Sequence, residues 1–238
     1  MNKLHIITPV KDSIELSLRT IASIMDSEIK MDFSYTVYND YSSDANTKIL
    51  ENKSEELGFA LVNLKQITMH PSPNYLLILQ RAQQSANFEN AHLLIIESDV
   101  VVEKNTIQHM YDSISSLEKT GMIAAITTDS NGNINYPYLY AKRFNPGNVN
   151  TRKGFSFCCT LLTQSFLASY NFDTLDPDKT WFDLFLSHKS VEMGFNNYLL
   201  TSTKVMHIQH SMYPWRHIKS SEPIKYYWRK FIGMFSNK

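Results

Sequence analysis

The chain has no net charge, almost no cysteine and no long apolar run. Its 238 residues carry 23 basic and 23 acidic side chains. A protein that grips nucleic acid by its backbone needs a basic excess to displace counterions, so neutrality argues against that class. The two cysteines, Cys158 and Cys159, are sequence neighbours. Adjacent Cα atoms stand about 3.8 Å apart, below the usual disulfide range, which points to a reduced, cytoplasmic type of protein. Both thiols are expected as small buried hydrophobes in a strand. No segment approaches the roughly 18 to 20 apolar residues of a membrane-spanning helix. The apolar start is too short for a signal peptide, and Pro9 ends it. Internal repeats and low-complexity tracts are also missing. An apolar fraction of 43%, with 13 Phe, 13 Tyr and 3 Trp, excludes disorder.

What is present is a rhythm of short apolar runs alternating with segments of helical spacing. That rhythm belongs to an α/β protein with a Rossmann-like, mainly parallel sheet flanked by helices. Residues 4–8 read as the first strand, followed by a turn over 9–13. Ile14, Leu18, Ile21 and Met25 then trace one helical face, with Asp12 or Ser13 as the cap. A second strand is expected at 33–38, a helix at 45–57 closed by Gly58, and a third strand at 59–64. Residues 75–85 form the next helix, with Leu76, Leu79 and Ala82 or Gln83 inward. The most apolar strand is 92–96, followed by a helix over 105–120 and a strand at 122–127. Residues 129–154, rich in Asn, Gly and Pro, read as a long loop or hairpin bordering an active site. Strands at 155–163 and 198–208 bracket a helix that ends at Gly194. One domain over residues 1–215 is expected, followed by a tail over 216–238.

In open α/β sheets, ligands gather at the carboxyl ends of the strands. Three such ends carry acids or turn formers: Thr8-Pro9-Val10-Lys11-Asp12, Asn39-Asp40-Tyr41-Ser42-Ser43-Asp44, and Glu97-Ser98-Asp99. Carboxylates at i and i+2 of an extended chain point to the same side, which suits a hard divalent cation shared with phosphates. The three segments, in this order, resemble the nucleotide-binding half of family 2 glycosyltransferases, which have a GT-A fold. Arg81, 18 residues before Asp99, stands where that family places an arginine. Phe172-Asp173 is similar to its Phe-Asp-Glu, with Thr174 in place of the glutamate. Asp183-Leu184 with Gly194 resembles its acidic acceptor-side helix, and Val205-Met206-His207 its strand ending in histidine.

The resemblance implies transfer of a sugar, with inversion, from a nucleotide-diphosphate sugar to a saccharide or lipid-linked acceptor hydroxyl, assisted by Mn²⁺ or Mg²⁺. Thr8, Pro9 and Asp12 would shape the nucleotide pocket, Asp40 would accept from the base N–H, and Arg81 would pair with diphosphate or ribose. Glu97, where the family usually has Asp, would reach ribose or a metal-bound water beside Ser98. Asp99 would hold the metal with His207 as a second ligand, His210 being the rival. The acceptor hydroxyl must lose a proton, so a carboxylate base is needed. Asp183 is the candidate, beside Trp181 and Phe182 as a sugar-stacking wall, with Asp178 and Asp176 as alternatives.

Two other functions fit parts of the pattern. A sugar-phosphate nucleotidyltransferase needs a Gly-rich phosphate loop after the first strand, and residues 8–12 contain no glycine. A non-catalytic binding or assembly module on the same scaffold is consistent with Glu97 and with Ala82, which stands where the family often has Asn. Neutrality itself is a cancellation. Residues 216–238 carry six basic side chains and one acid, leaving 17 basic and 22 acidic for residues 1–215. Ile224, Tyr227, Trp228, Phe231 and Phe235 fall at helical spacing beside Lys225, Arg229 and Lys230. That make-up is of an interfacial helix at the inner face of a membrane, or of a helix whose aromatic face packs back on the domain.

Overall fold

In the computed structural model, strands and helices alternate as the two sequence periods require. β1 (Lys3–Val10), α1 (Ile14–Met25), β2 (Phe33–Asn39), α2 (Asp44–Leu57), β3 (Ala60–Asn63), α3 (Tyr75–Phe88) and β4 (Ala91–Ile96) come first. β5 (Val100–Val101), α4 (Thr106–Ser113), β6 (Thr120–Thr128), β7 (Asn148–Asn150), β8 (Cys159–Leu162), α5 (Gln164–Ser169), α6 (Phe182–Glu192) and β9 (Asn196–His207) follow. The structure describes residues 3–208; His210 and the 216–238 tail lie outside them.

The strands form one sheet in the order β3-β2-β1-β4-β8-β6-β9-β5, with β7 also paired to β9. β1 is parallel to both neighbours, β2 and β4. The chain steps outward from β1 to β3 and then returns to the other side of β1. That reversal opens a crevice at the carboxyl end of β1, where α/β sheets take their ligands.

The sheet is mainly parallel, as expected, with antiparallel strands set into it. β8 runs antiparallel to β4 and β6, while β6 and β9 are parallel. The reason is the excursion over residues 129–158. It leaves from the end of β6 and re-enters the sheet at the same end, so β8 must run backwards.

Alternation places successive side chains on opposite faces. Leu4, Ile6, Leu94 and Ile96 face Ile21, Ile24, Ile107 and Met110 of α1 and α4. Ile7, Leu93 and Ile95 face Ile78, Leu79, Phe166, Phe182 and Leu186 of α3, α5 and α6. Both faces are covered, which is why β4 reads as an unbroken apolar run.

Several local expectations shift. Pro9 lies inside β1, past the last pair with β4 (Ile7–Ile95), where its missing N–H costs no ladder bond on that side. Neither Asp12 nor Ser13 caps α1 through its side chain; both adopt left-handed backbone, φ 50° and 44°. α4 stops at Ser113, in a short 3-10 turn over Ile114–Ser116. The strand expected at 155–163 forms over Cys159–Leu162.

Candidate active site

Four elements end at the mouth of the crevice. β4 delivers Glu97, Ser98 and Asp99 into a tight turn closed by Val100 N–H donating to the Glu97 carbonyl at 3.1 Å. The two carboxylates therefore converge through a turn rather than through strand alternation. After that turn, β5 pairs antiparallel with β9 and sets Val100 opposite His207. The result brings His207 Nε2 to 3.4 Å from Asp99 Oδ2. Asp99 keeps 15% of its side-chain surface exposed and His207 4%.

His207 Nδ1 lies 2.9 Å from the Tyr136 carbonyl, which only accepts. The proton of the neutral ring is therefore on Nδ1, and Nε2 presents its lone pair towards Asp99. Desolvation disfavours charge on this ring. The Asp99 carboxylate and the Tyr136 carbonyl more than offset it, and the pKa is raised. Glu97 is pushed up to about 7, first by burial and then by the charge of Asp99. Its Oε2 accepts from the Cys158 thiol at 3.4 Å, and its N–H donates to the Cys158 carbonyl at 3.1 Å. Cys158 and Cys159 are both buried and free, as small hydrophobes at the start of β8, with Cys158 one residue before it.

Asp183 sits in the first turn of α6. Burial raises its pKa, against the pull of the Leu184 N–H. Its charge is felt at both Glu97 and the Tyr75 hydroxyl, so α6 brings it to the same end of the sheet. The helix is docked there by Phe155 N–H, which donates to Ser187 Oγ at 2.9 Å. Asp176 and Asp178 are exposed and belong to a turn, with Asp178 N–H donating to Asp176 Oδ1 at 3.0 Å. Of the expected aromatic wall, Trp181 is 67% exposed, but Phe182 belongs to the core; Phe185 is the exposed ring beside it. One helical turn separates Trp181 from Phe185, whereas Phe182 points into the sheet.

The residues expected around the nucleotide are mostly engaged with protein. Thr8 is fully buried and its Oγ1 accepts from the Tyr35 hydroxyl at 3.0 Å. Asp12 joins two loops: its N–H donates to Ser42 Oγ at 2.8 Å, and its Oδ1 accepts from Ser43 N–H and Asn46 Nδ2. These bonds tie down the strained 12–13 backbone. Asp40 is already engaged with protein. Its carboxylate takes Ser72 Oγ at 2.7 Å, Asn74 N–H at 2.9 Å and Asn74 Nδ2 at 2.7 Å, anchoring the loop that leads into α3. Arg81 is exposed, makes no ion pair among the described residues, and its charge is felt at Tyr38 at the end of β2. Tyr136, Cys158 and Tyr75 were missed by sequence reasoning. A backbone carbonyl and a buried thiol leave no motif, and Tyr75 reads as an ordinary first-turn aromatic.

Among the described residues, no group of three or more His, Cys, Asp or Glu side chains gathers as a metal site. The Asp99–His207 pair nevertheless fits a divalent ion as two donors. An acceptor-only carboxylate oxygen and an imidazole lone pair face each other, and the ring is oriented from behind by a carbonyl.

No protein-family model matches the chain, and no curated protein matches its sequence. Solved structures do match its fold. TarS residues 1–349 of S. aureus in complex with UDP-GlcNAc aligns with a TM-score of 0.68 at 16% identity, over 87% of this chain and 59% of that one. GalNAc-T7 with UDP, GalNAc and Mn²⁺ gives 0.65 at 11% identity, over 88% and 44%. The mannosyltransferase PcManGT of Pyrobaculum calidifontis with GDP-Man and Mn²⁺ gives 0.65 at 12%, over 96% and 64%. The chain thus spans between about two fifths and two thirds of the length of these proteins. The fold is of the GT-A type, a single mixed α/β domain with a curled central sheet.

Proposed function

We propose that this protein is a glycosyltransferase that moves a sugar from a nucleotide-diphosphate sugar to the hydroxyl of a saccharide or lipid-linked acceptor, with inversion. The carrying observation is the Asp99–His207 contact beside Glu97 at the carboxyl end of a GT-A sheet, with Asp183 near enough for its charge to act on Glu97. The three solved structures reported above are named for UDP, UDP-GlcNAc or GDP-Man, two of them with Mn²⁺, which supports a nucleotide-sugar donor and a divalent metal here.

Asp99 and His207 would hold the ion, with water and the donor diphosphate as the remaining ligands. When bound, such an ion supplies Lewis-acid stabilisation of the charge growing on the leaving diphosphate. Arg81, exposed and without an ion pair among the described residues, supplies a second positive charge for the same group. Asp183 takes the proton of the acceptor hydroxyl as its oxygen attacks the anomeric carbon and the bond to the phosphate oxygen breaks. A raised pKa makes its carboxylate a stronger base than an exposed aspartate, in keeping with that task. Displacement in one step with one base inverts the anomeric centre. Trp181 and Phe185 offer apolar faces for an acceptor ring. Thr8, Pro9 and Asp12 shape the pocket through backbone they hold in place, and Asp40 through the 72–74 loop it anchors.

Residues 1–215 form the catalytic body in this reading, and the 216–238 tail touches an anionic membrane face from the cytoplasm. No helix among the described residues is long and apolar enough to cross a membrane. Liposome flotation with and without the tail tests that contact, and equal partition of the two forms would sink it.

The enzymatic reading is tested by thermal shift against UDP and GDP with and without Mn²⁺, together with hydrolysis of UDP-GlcNAc and GDP-mannose. Wild type should be stabilised by one diphosphate in a Mn²⁺-dependent way and turn over its sugar, and Asp99→Ala should do neither. No binding or turnover by wild type refutes the proposal.

A further inference from the structure

The Tyr75 hydroxyl oxygen is buried and has no hydrogen-bond partner among the described residues. Proteins rarely leave such a group unpaired, because losing its water without a replacement bond is unfavourable. Phenylalanine would fill the same space without that cost. The hydroxyl therefore calls for an explanation, and its surroundings supply one.

Tyr75 is the first residue of α3. The residue before it, Asn74, is clamped on both its N–H and its amide by Asp40, so the start of the helix is held firmly. The Tyr75 ring stacks on fully buried Phe157, centroids 6.4 Å apart and planes 27° from parallel. Phe157 precedes Cys158, whose thiol and carbonyl both bond Glu97. The ring is thus fixed on two sides, and its stacking partner Phe157 is one residue from the thiol that bonds Glu97. Besides desolvation, the hydroxyl feels the charges of Glu97 first and Asp183 second, and it bonds neither. The Tyr75 hydroxyl at the start of α3 thus keeps an unused hydrogen-bonding capacity within electrostatic reach of Glu97, which follows β4, and of Asp183 on α6. Such an arrangement is complementary to a small polar group from outside, placed between the metal-side acid and the candidate base.

We infer that the Tyr75 hydroxyl is a specificity-determining contact, hydrogen-bonding a ring hydroxyl of the transferred sugar between Glu97 and Asp183. The inference rests on the proposed glycosyl transfer and adds to it the residue that distinguishes a nucleotide sugar from the bare nucleotide. A site built to bond a substrate hydroxyl discriminates strongly against a ligand lacking it, since its own polar group is then left unpaired.

The test is Tyr75→Phe, which removes one oxygen and leaves the ring stack. Melting temperature and affinities for UDP, GDP, UDP-GlcNAc and GDP-mannose are measured with Mn²⁺, and kcat and KM for the sugar that turns over. The variant should melt at or above the wild-type temperature, because it loses an unpaired polar group and no contact. Affinity for the nucleoside diphosphate should stay within twofold, while affinity for the nucleotide sugar falls about tenfold, as does kcat/KM. Unchanged nucleotide-sugar affinity and kinetics would overturn the inference and leave the transferase reading intact. Equal loss of diphosphate and nucleotide-sugar binding, or a clear fall in melting temperature, would assign Tyr75 a structural role and overturn it as well. Failure of wild type to bind any of the four would overturn both.

Discussion

His207 Nε2 stands 3.4 Å from Asp99 Oδ2 with its other nitrogen committed to the Tyr136 carbonyl. The two residues are 108 positions apart, and the short β5–β9 pairing is what joins them. Because Nδ1 is fixed as the donor, Nε2 has one task at the site, to accept a proton or a metal.

His207→Ala should therefore abolish the extra thermal stabilisation that Mn²⁺ gives in the presence of nucleoside diphosphate. A ligand at a hundred times its dissociation constant stabilises by about 2.7 kcal/mol, well within reach of a melting experiment. Stabilisation by diphosphate without Mn²⁺ should change far less. Equal Mn²⁺ response in wild type and variant would remove His207 from the metal site.

Asp183→Asn should lower turnover by about 10²- to 10⁴-fold while donor binding persists. Asp176→Asn and Asp178→Asn should stay near wild-type rates, since both belong to an exposed turn. The acid limb of the rate profile follows from the same geometry. Burial favours the protonated form of Asp183, so activity should be lost, as pH falls, above the range of an ordinary aspartate.

Stability should fall in acid through His92. Burial lowers its pKa from 6.5 to about 4, and its Nδ1 accepts the N–H of Gln164, the first residue of α5, at 3.0 Å. The unfolded chain binds this proton more readily than the folded one. The contribution is therefore complete above about pH 6.5 and is lost as pH falls towards 4, by up to ~3 kcal/mol at about 1.4 kcal/mol per pH unit. Chemical denaturation across that range should show the slope in wild type and a shallower one in His92→Gln.

Gly121→Ala should destabilise the fold. A Cβ there would collide with Ser190 Oγ and lie 2.7 Å from Phe195 Cβ, and Ser190 is buried and bonded to Asn197. Neither neighbour is the loose end of a long chain. Overpacking of this kind costs about 1–3 kcal/mol, readable as a lower melting temperature with retained metal response.

The first half of the fold was legible because its elements obey simple periods. α1 and α2 occur where apolar spacing placed them, and Gly58 closes α2 in left-handed backbone, φ 80°. β5, β7 and α5 were not legible; they are two, three and six residues long, too short for a period to show. The engagement of Asp40 by a distant loop was illegible for a related reason. An acid after a strand signals a turn or a ligand equally well, and the bonds to Ser72 and Asn74 depend on where a loop 32 to 34 residues later returns.

By itself, the sequence determined the α/β class and the strand ends that carry acids. These follow from local periodicity and from where apolar runs stop. Tertiary structure alone decided that β8 runs backwards, that α6 partly buries Asp183 while Asp176 and Asp178 stay on an exposed turn, and that the Tyr75 hydroxyl is buried without a partner among the described residues. Those outcomes depend on long-range packing, in which a group's partners are set by distant chain segments and not by its neighbours in sequence.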